Sequence, residues 1–174
     1  IEKEKGGDSS PVNLSGIEMM SEAFYRTEKL AKSFTIKRKL FYEKLLNRNC
    51  DKVLEVGCGP GVFHKPWNKL KVDWVGTDIN PIWKEFGQKN GVPISNQSID
   101  SINEKFDVVM AHQVIEHVEN PLGFMNIIKS LLKPRGIIHL ELPNQFSLSA
   151  QLRKISPKIS HDYGFIQPPM HLRA

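Results

Sequence analysis

Three glycines at alternate positions follow a short apolar run in the first half of the chain. The stretch reads VLEVGCGPG over residues 53–61, and Glu55 lies two residues before the first glycine. Glycine adopts positive φ freely and lets a ligand lie against the main chain, so the loop is typical of a nucleotide-like ligand. Val62 stands where the dinucleotide-binding fingerprint G-x-G-x-x-G has its third glycine. The spacing therefore disfavours an NAD-binding oxidoreductase.

Carboxylates, rather than basic side chains, accompany this loop. Glu55 would repel a phosphate and attract an ammonium group, and Pro60 and Pro66 flank the point at which a phosphate-binding helix would begin. Asp78 ends the next apolar run, where its carboxylate could accept hydrogen bonds from both hydroxyls of an adenosine ribose. A ribose and an amino group without a phosphate describe S-adenosylmethionine.

Short apolar runs alternate with helical patterns from residue 52 onward. Asn80-Pro81 and Asn120-Pro121 each supply a capping side chain and a proline suited to the first helical turn. We expect the second of these helices to include Leu132 and to end at Pro134. The alternation predicts an α/β fold with a doubly wound, Rossmann-like, mostly parallel sheet, whose ligand lies at the carboxyl ends of the strands. The predicted strands are Lys52–Val56, Trp74–Thr77, Val92–Ser95, Phe106–Ala111 and Gly136–Leu142.

The chain before this core has a different pattern. Residues 1–16 have the composition of a disordered leader. Residues 17–50 carry apolar side chains at helical spacing, which predicts two helices that form a lid over the sheet. Within them, Phe34 is expected to pack in the core, and Arg38 is a candidate substrate contact. After the glycine loop, Pro66 predicts a short helix that begins near that residue.

Four sequence motifs occur in order between Asp51 and Asn144. They read VLEVGCGPG, VGTDIN, FDVVMAHQVIEHVENP and LLKPRGIIHLELPN. Together they resemble the class I S-adenosylmethionine-dependent methyltransferases, in the type 11/12 branch that acts on small molecules. The resemblance implies a strand order of 3-2-1-4-5, an S-adenosylmethionine-binding core over residues 51–146, and a small-molecule methyl acceptor.

The resemblance also implies roles for single residues. Asp78 would accept the ribose hydroxyls, and Ile79 would lie beside the adenine. Ala111 and His112 would face the cofactor from the other side. The wall against the methionine and ribose would be formed by Glu55, Gly57, Cys58, Gly59 and Gly61.

The sequence departs from the family pattern in two places. The family commonly has an acidic residue after the third strand that accepts from the adenine amino group, whereas here Ser98 and Ile99 hold that place. Ser98 could make a weaker hydrogen bond, or Asp100 could take the role. Only thirty residues follow Asn144, so the last two strands of the family fold are expected to be missing and residues 147–174 to be a truncated segment.

Candidate catalytic groups cluster after the fourth predicted strand. Methyl transfer needs alignment and, for an oxygen or nitrogen acceptor, a base that removes a proton. Glu116 and His117 form a pair that resembles one in quinone-biosynthesis O-methyltransferases, and His112 is the third candidate. Gln113 replaces the first acid of the cation-linked pattern in those relatives, so no metal site is predicted. Alternatively, the pair could satisfy local backbone groups.

Two further polar residues, His139 and Glu141, alternate with apolar ones on the fifth predicted strand. This alternation places both side chains on one face of the sheet. We expect them to support the site or to lie at the sheet edge, rather than to carry catalysis.

Composition limits the remaining alternatives. The 174 residues are 40% hydrophobic and 25% charged, with a formal net charge of +5. No apolar run reaches about 18 residues, so no membrane span is predicted, and a cysteine pattern without a disulfide framework favours a cytoplasmic protein. An RNA-directed methyltransferase and a non-enzymatic S-adenosylmethionine-binding domain both stay open. Nucleic acid is the less favoured partner, because the sequence has no basic stripe interleaved with aromatic residues.

Overall fold

A computed structural model describes residues 28–143. The helices and strands in this part of the chain are α1 (Glu28–Leu46), β1 (Lys52–Val56), α2 (His64–Lys69), β2 (Asp73–Thr77), α3 (Pro81–Asn90), β3 (Ile94–Ser95), β4 (Phe106–His112), α4 (Pro121–Ser130) and β5 (Leu132–Glu141). Two short 3₁₀ turns, Ile99–Ser101 and Ile115–His117, precede and follow β4.

The five strands form one sheet in the order β3-β2-β1-β4-β5, and every neighbouring pair is parallel. The predicted α/β class, the doubly wound sheet and the strand order are therefore confirmed. In register, Val56 of β1 pairs with Thr77 of β2 on one side and with Ala111 of β4 on the other. This register brings the carboxyl ends of three strands to one edge, where the glycine loop begins.

Helices cover both faces of the sheet, as its nearly continuous apolar strands require. On the first face, Tyr42 and Leu46 of α1 and Trp67 of α2 pack against alternate residues of β1 and β4. On the second face, Phe124 and Ile128 of α4 pack against the other set. No helix among the described residues is long and apolar enough to cross a membrane.

The boundary between α4 and β5 differs from the prediction. The helix ends at Ser130, and Leu132 opens β5 instead of continuing the helical face. Pro134 cannot donate a helical hydrogen bond, and Arg135 takes a positive φ of 61°. Pairing with β4 is irregular here, because Phe106 opposes Leu132 while Val108 opposes Ile137. The extra residues of β5 form a bulge. With them, the strand begins at Leu132, four residues before the predicted start at Gly136.

The start of one helix and the length of one strand show the local effects of proline and of a backbone hydrogen bond. Helix α2 begins at His64 rather than at Pro66, which lies in its first turn where the missing N–H has no helical partner. Strand β3 is limited to Ile94 and Ser95, since Val92 instead donates to the carbonyl of Gly87 at the end of α3.

The prediction for Phe34 is wrong, because its side chain is 55% exposed. The buried stripe of α1 consists of Ala31, Thr35, Tyr42 and Leu46, which follow helical spacing one residue out of step with Phe34. Arg38 reaches the carboxyl edge of the sheet, where it pairs with Glu141. The predicted leader, the first part of the predicted lid and the segment 147–174 lie outside the described residues.

Candidate functional site

The glycine loop is anchored to the end of β2. The amides of Gly57 and Cys58 both donate to the carbonyl of Thr77, at 2.8 and 3.1 Å. Gly57, Gly59 and Gly61 all have positive φ, at 67°, 51° and 69°. The loop conformation therefore depends on residues without a Cβ at all three places.

The three glycines differ in what surrounds them. A Cβ on Gly57 would lie 2.5 Å from Val114, and one on Gly61 would lie 2.7 Å from Val92. A Cβ on Gly59 would meet nothing closer than Trp83, at 4.0 Å. Two glycines thus allow close packing beneath the loop, whereas Gly59 presents bare main chain to open space, as a ligand cradle requires.

Asp78 lies directly beside this open position. Its Oδ2 accepts from the amide of Gly59 at 3.0 Å, and its Oδ1 accepts from the amide of Asn80 at 3.0 Å. Each carboxylate oxygen keeps a free lone pair, so a diol could donate to both. The neighbouring Ile79 is 85% exposed, so its apolar side chain is accessible to a flat ring bound beside Asp78.

Glu55 and Cys58 point beneath the loop rather than out of it. Glu55 is only 4% exposed, and its Oε2 accepts from the indole N–H of Trp74 at 2.8 Å. Its Oε1 lies 3.5 Å from Nδ1 of His112. The Cys58 thiol is packed in the core of the first face, and burial raises its pKa. Only the main chain of Cys58 is therefore placed to line the loop.

His112 closes β4 and lies beside the end of β5. Its Nε2 is 3.8 Å from Oε1 of Glu141, and Nε2 of His139 is 3.3 Å from the same oxygen. The two imidazole rings meet edge to face, with centroids 5.4 Å apart. We refer to His112, His139 and Glu141 as the His-His-Glu cluster.

Helix α1 supplies outer partners to this cluster. Tyr42 forms a hydrogen bond with Nδ1 of His139, and Arg38 pairs with Glu141. Burial lowers the pKa of His139, and the charge of Arg38 lowers it further, so the ring is neutral at pH 7. Burial raises the pKa of Tyr42, whose hydroxyl keeps its proton.

The sequence pattern alone does not predict this cluster. The sequence predicts His139 and Glu141 as supporting or edge residues and does not single out Tyr42. The available signal was the alternation of His139 and Glu141 on β5, which sets both on the face that His112 occupies on β4. The parallel register then brings His112 beside these two residues, because Met110 pairs with His139 and His112 pairs with Glu141.

The Glu116–His117 pair lies in the 3₁₀ turn that follows β4. Glu116 is 4% exposed, yet neither of its carboxylate oxygens has a hydrogen-bond partner within the described part of the chain. His117 is exposed in the same turn. A carboxylate buried in this way is costly unless a ligand, water or cation pairs with it.

The remaining predicted cofactor contacts lie around the same edge. Ala111 is buried among the residues of the second face, next to His112. Ser98 is exposed, and its side chain makes no capping hydrogen bond to the turn that Ile99 begins. Ile99 is half-buried against the second face. Whether Ser98 or Asp100 contacts an adenine stays a prediction.

Comparison with known proteins is consistent across sequence and fold. A family model described as a methyltransferase domain matches residues 25–167. The ubiquinone biosynthesis O-methyltransferase of Haemophilus ducreyi is 32% identical over 141 residues, covering 67% of this chain and 59% of that protein. That of Cereibacter sphaeroides is 29% identical over 135 residues, covering 67% and 55%. The chain thus spans little more than half the length of these curated relatives.

Solved structures share the fold at low sequence identity. The plantazolicin methyltransferase BpumL, in complex with SAH, aligns with a TM-score of 0.61 and 18% identity, covering 78% of this chain and 55% of that one. A SAM-bound amino pentose methyltransferase from Micromonospora echinaspora aligns with a TM-score of 0.58 and 16% identity, covering 70% and 55%. The family match over residues 25–167 and the relative that is 32% identical place the chain in the class I S-adenosylmethionine-dependent methyltransferase family, and the solved structures share its fold.

Proposed function

We propose that this protein transfers a methyl group from S-adenosylmethionine to an oxygen atom of a small molecule. The observation that carries the proposal is the pairing of Asp78 with Gly59: a carboxylate with two free lone pairs lies beside bare main chain that faces open space. The choice of an oxygen acceptor rests on the two relatives above, which are both named as O-methyltransferases.

The residues at this edge fit S-adenosylmethionine and not a dinucleotide. Asp78 would accept the ribose hydroxyls, Ile79 would cover the adenine, and Gly59 would let the ribose approach the main chain. Ser98 and Ile99 would border the adenine from the side of β3, and Ala111 and His112 the methionine from the side of β4. The buried negative charge of Glu55 nearby disfavours a pyrophosphate.

When bound, S-adenosylmethionine supplies an electrophilic methyl group on a sulfonium. The chain must align the acceptor oxygen with that methyl group and remove the proton of the hydroxyl. Alignment alone can lower the barrier by roughly 7–11 kcal/mol. Glu116 and His117, at the start of the segment after β4, are the proposed proton acceptors, and His112 lines the path between them and the cofactor.

Calorimetric titration tests the cofactor assignment. We expect S-adenosylmethionine and S-adenosylhomocysteine to bind with 1:1 stoichiometry and NAD to give no heat. The Asp78→Ala variant should bind both sulfur compounds at least 10-fold more weakly. Asp73→Ala is the matched control, because Asp73 is an exposed carboxylate at the opposite end of the same strand. Heat with NAD alone would contradict the assignment.

An acceptor screen tests the reaction itself. Hydroxylated aromatic compounds, amino sugars and a short RNA would each be incubated with the protein and S-adenosylmethionine, with S-adenosylhomocysteine release as the readout. The proposal expects release with a hydroxylated compound. Release with RNA alone would instead support an RNA-directed enzyme, and cofactor binding without release would support a non-enzymatic domain.

A further inference from the structure

We propose that the His-His-Glu cluster, His112, His139 and Glu141, binds a divalent transition-metal ion. The cluster lies at the carboxyl ends of β4 and β5, and α1 covers it. It is separate from the Glu116–His117 turn, since none of its three residues belongs to that turn. The proposal goes beyond methyl transfer, because it rests on the side-chain geometry of three residues, of which only His112 is also assigned to the cofactor.

The spacing of the donor atoms fits a small ion. One ligand atom from each residue lies within 4.8 Å of the other two. Ligand atoms held at about 2.0–2.2 Å from a tetrahedral ion are about 3.3–3.6 Å apart. The His139 to Glu141 separation of 3.3 Å already matches this value, and the His112 to Glu141 separation of 3.8 Å is close to it.

Both histidines have an outer partner on Nδ1, which leaves Nε2 to face the centre. His112 presents Nδ1 to the carboxylate of Glu55, and His139 presents Nδ1 to the hydroxyl of Tyr42. Metal-binding histidines are commonly oriented in this way, because the outer partner fixes the tautomer and ring angle. Arg38, on the helix that carries Tyr42, pairs with Oε1 of Glu141, the same oxygen that lies near both histidines, so a bound ion would share this oxygen with Arg38 or displace it.

One nitrogen atom of the cluster indicates that a ligand belongs there. Nε2 of His112 is buried and has no hydrogen-bond partner among the described residues. A buried polar nitrogen without a partner is rare and usually marks a water, ion or ligand site. With its proton on Nδ1, which faces Glu55, the neutral ring would present on Nε2 the lone pair that a metal ion requires.

The charge and donor types indicate which ions would bind. Glu55 and Glu141 bring two negative charges against the single positive charge of Arg38, so the surroundings keep one net negative charge. Two imidazole nitrogens and one carboxylate oxygen suit Zn²⁺, Co²⁺ or Fe²⁺ better than Mg²⁺ or Ca²⁺, which prefer oxygen ligands only. Three protein ligands leave at least one position open for water or an acceptor oxygen.

Metal titration of the full chain tests the site. Chelator-treated protein would be titrated with ZnCl₂ by calorimetry and with CoCl₂ by visible absorption, which reports ligand geometry. We expect one ion per chain. Glu141→Gln and His139→Gln should each weaken Zn²⁺ binding at least 100-fold, and Tyr42→Phe, which removes an outer partner, about 10–100-fold.

Two control variants separate this site from other places where an ion could bind. His64→Gln removes a histidine of α2 that packs against Trp74 on the first face of the sheet, outside the cluster, and Glu116→Gln removes the carboxylate of the turn after β4. Both should bind Zn²⁺ as the parent chain does. Thermal unfolding of each variant would establish that it is folded. Absence of stoichiometric binding in the parent chain would overturn the proposal, as would binding that survives Glu141→Gln or that only Glu116→Gln abolishes.

Discussion

Gly59 and Gly61 lie two positions apart in one loop, yet their surroundings differ, and so do the effects expected of a substitution. Gly61 faces Val92 and Trp74 in the core of the first face, whereas Gly59 faces open space beside Asp78. Both have positive φ, so an alanine at either place carries a conformational cost of about 1–2 kcal/mol. Only the surroundings decide whether stability or ligand binding suffers more.

The first prediction compares alanine at these two glycines. Gly61→Ala should lower the free energy of unfolding by more than Gly59→Ala does, because its Cβ would lie 2.7 Å from Val92. Gly59→Ala should instead weaken S-adenosylmethionine binding by at least 10-fold, since its Cβ would occupy the space that we assign to the ligand. Urea unfolding and calorimetry measure the two effects. Equal losses of binding in the two variants would contradict the distinction.

The second prediction concerns Glu116. Its buried, unpartnered carboxylate should act on the acceptor and not on the cofactor. Glu116→Gln should therefore reduce kcat by about 10²–10⁴ while the Kd for S-adenosylmethionine changes less than 3-fold. Steady-state kinetics with the acceptor found by the screen would measure it. Glu85→Gln, an exposed substitution on α3, serves as the control.

At the scale of elements, Asp107 joins the amino ends of β1, β4 and β5. Its side chain is fully buried and accepts from Arg48, from the amides of Asp51 and Lys52, and from Lys133. These contacts attach the end of α1 and the bulge of β5 to the centre of the sheet. Because the opposite edge carries the site, Asp107 acts on stability without touching the ligand.

The third prediction is a loss of stability in acid that depends on Asp107. Burial would raise the pKa of this carboxyl group, but the hydrogen bonds from Arg48, Lys133 and the two amides outweigh burial and lower it. The folded protein therefore holds the charged form more tightly than the unfolded chain does. This stabilisation is complete above the pKa of Asp107 in the unfolded chain, about 4. It is lost as the pH falls through the lower pKa that Asp107 has in the folded protein.

Urea midpoints between pH 7 and pH 3 would measure this dependence. Asp107→Ala should lower the free energy of unfolding at pH 7 by about 3 kcal/mol, because two main-chain amides and two cations lose their acceptor. It should also remove part of the acid sensitivity. Asp100→Ala, at an exposed position, should leave both unchanged. A parent-like slope with pH in Asp107→Ala would show that other carboxylates account for the acid transition.

At the scale of the molecule, stability is concentrated in the middle of the sheet. β4 is buried over every residue from Phe106 to Ala111 and is paired on both sides, while β3 has only two residues. Several large apolar side chains of α1 remain exposed in the described structure. They include Phe34, Leu40, Phe41 and Leu45.

The fourth prediction follows from the difference in burial and strand pairing between β4 and β3. In native-state hydrogen exchange, amides of β1 and β4 should exchange last, with free energies close to that of global unfolding. The amides of β3 should exchange earlier, because two residues paired to a single strand open locally at small cost. Mass spectrometry of peptides after exchange would show the order. Equal protection of β3 and β4 would contradict it.

The sequence by itself determined the alternation of strands and helices, the glycine loop and the place of Asp78, because these depend on local signals: apolar runs, Asn-Pro caps, and glycines where positive φ is required. The strand order followed from the resemblance to a known family and not from any local signal. The tertiary structure alone decided that β5 begins at Leu132, that Phe34 is exposed, and that Tyr42 meets His139, 97 positions away. A bulge, the rotation of a helix and a contact between distant residues all depend on packing between elements, and no local pattern records that packing. The His-His-Glu cluster belongs to this second group, because parallel register, and not sequence spacing, brings its three side chains together.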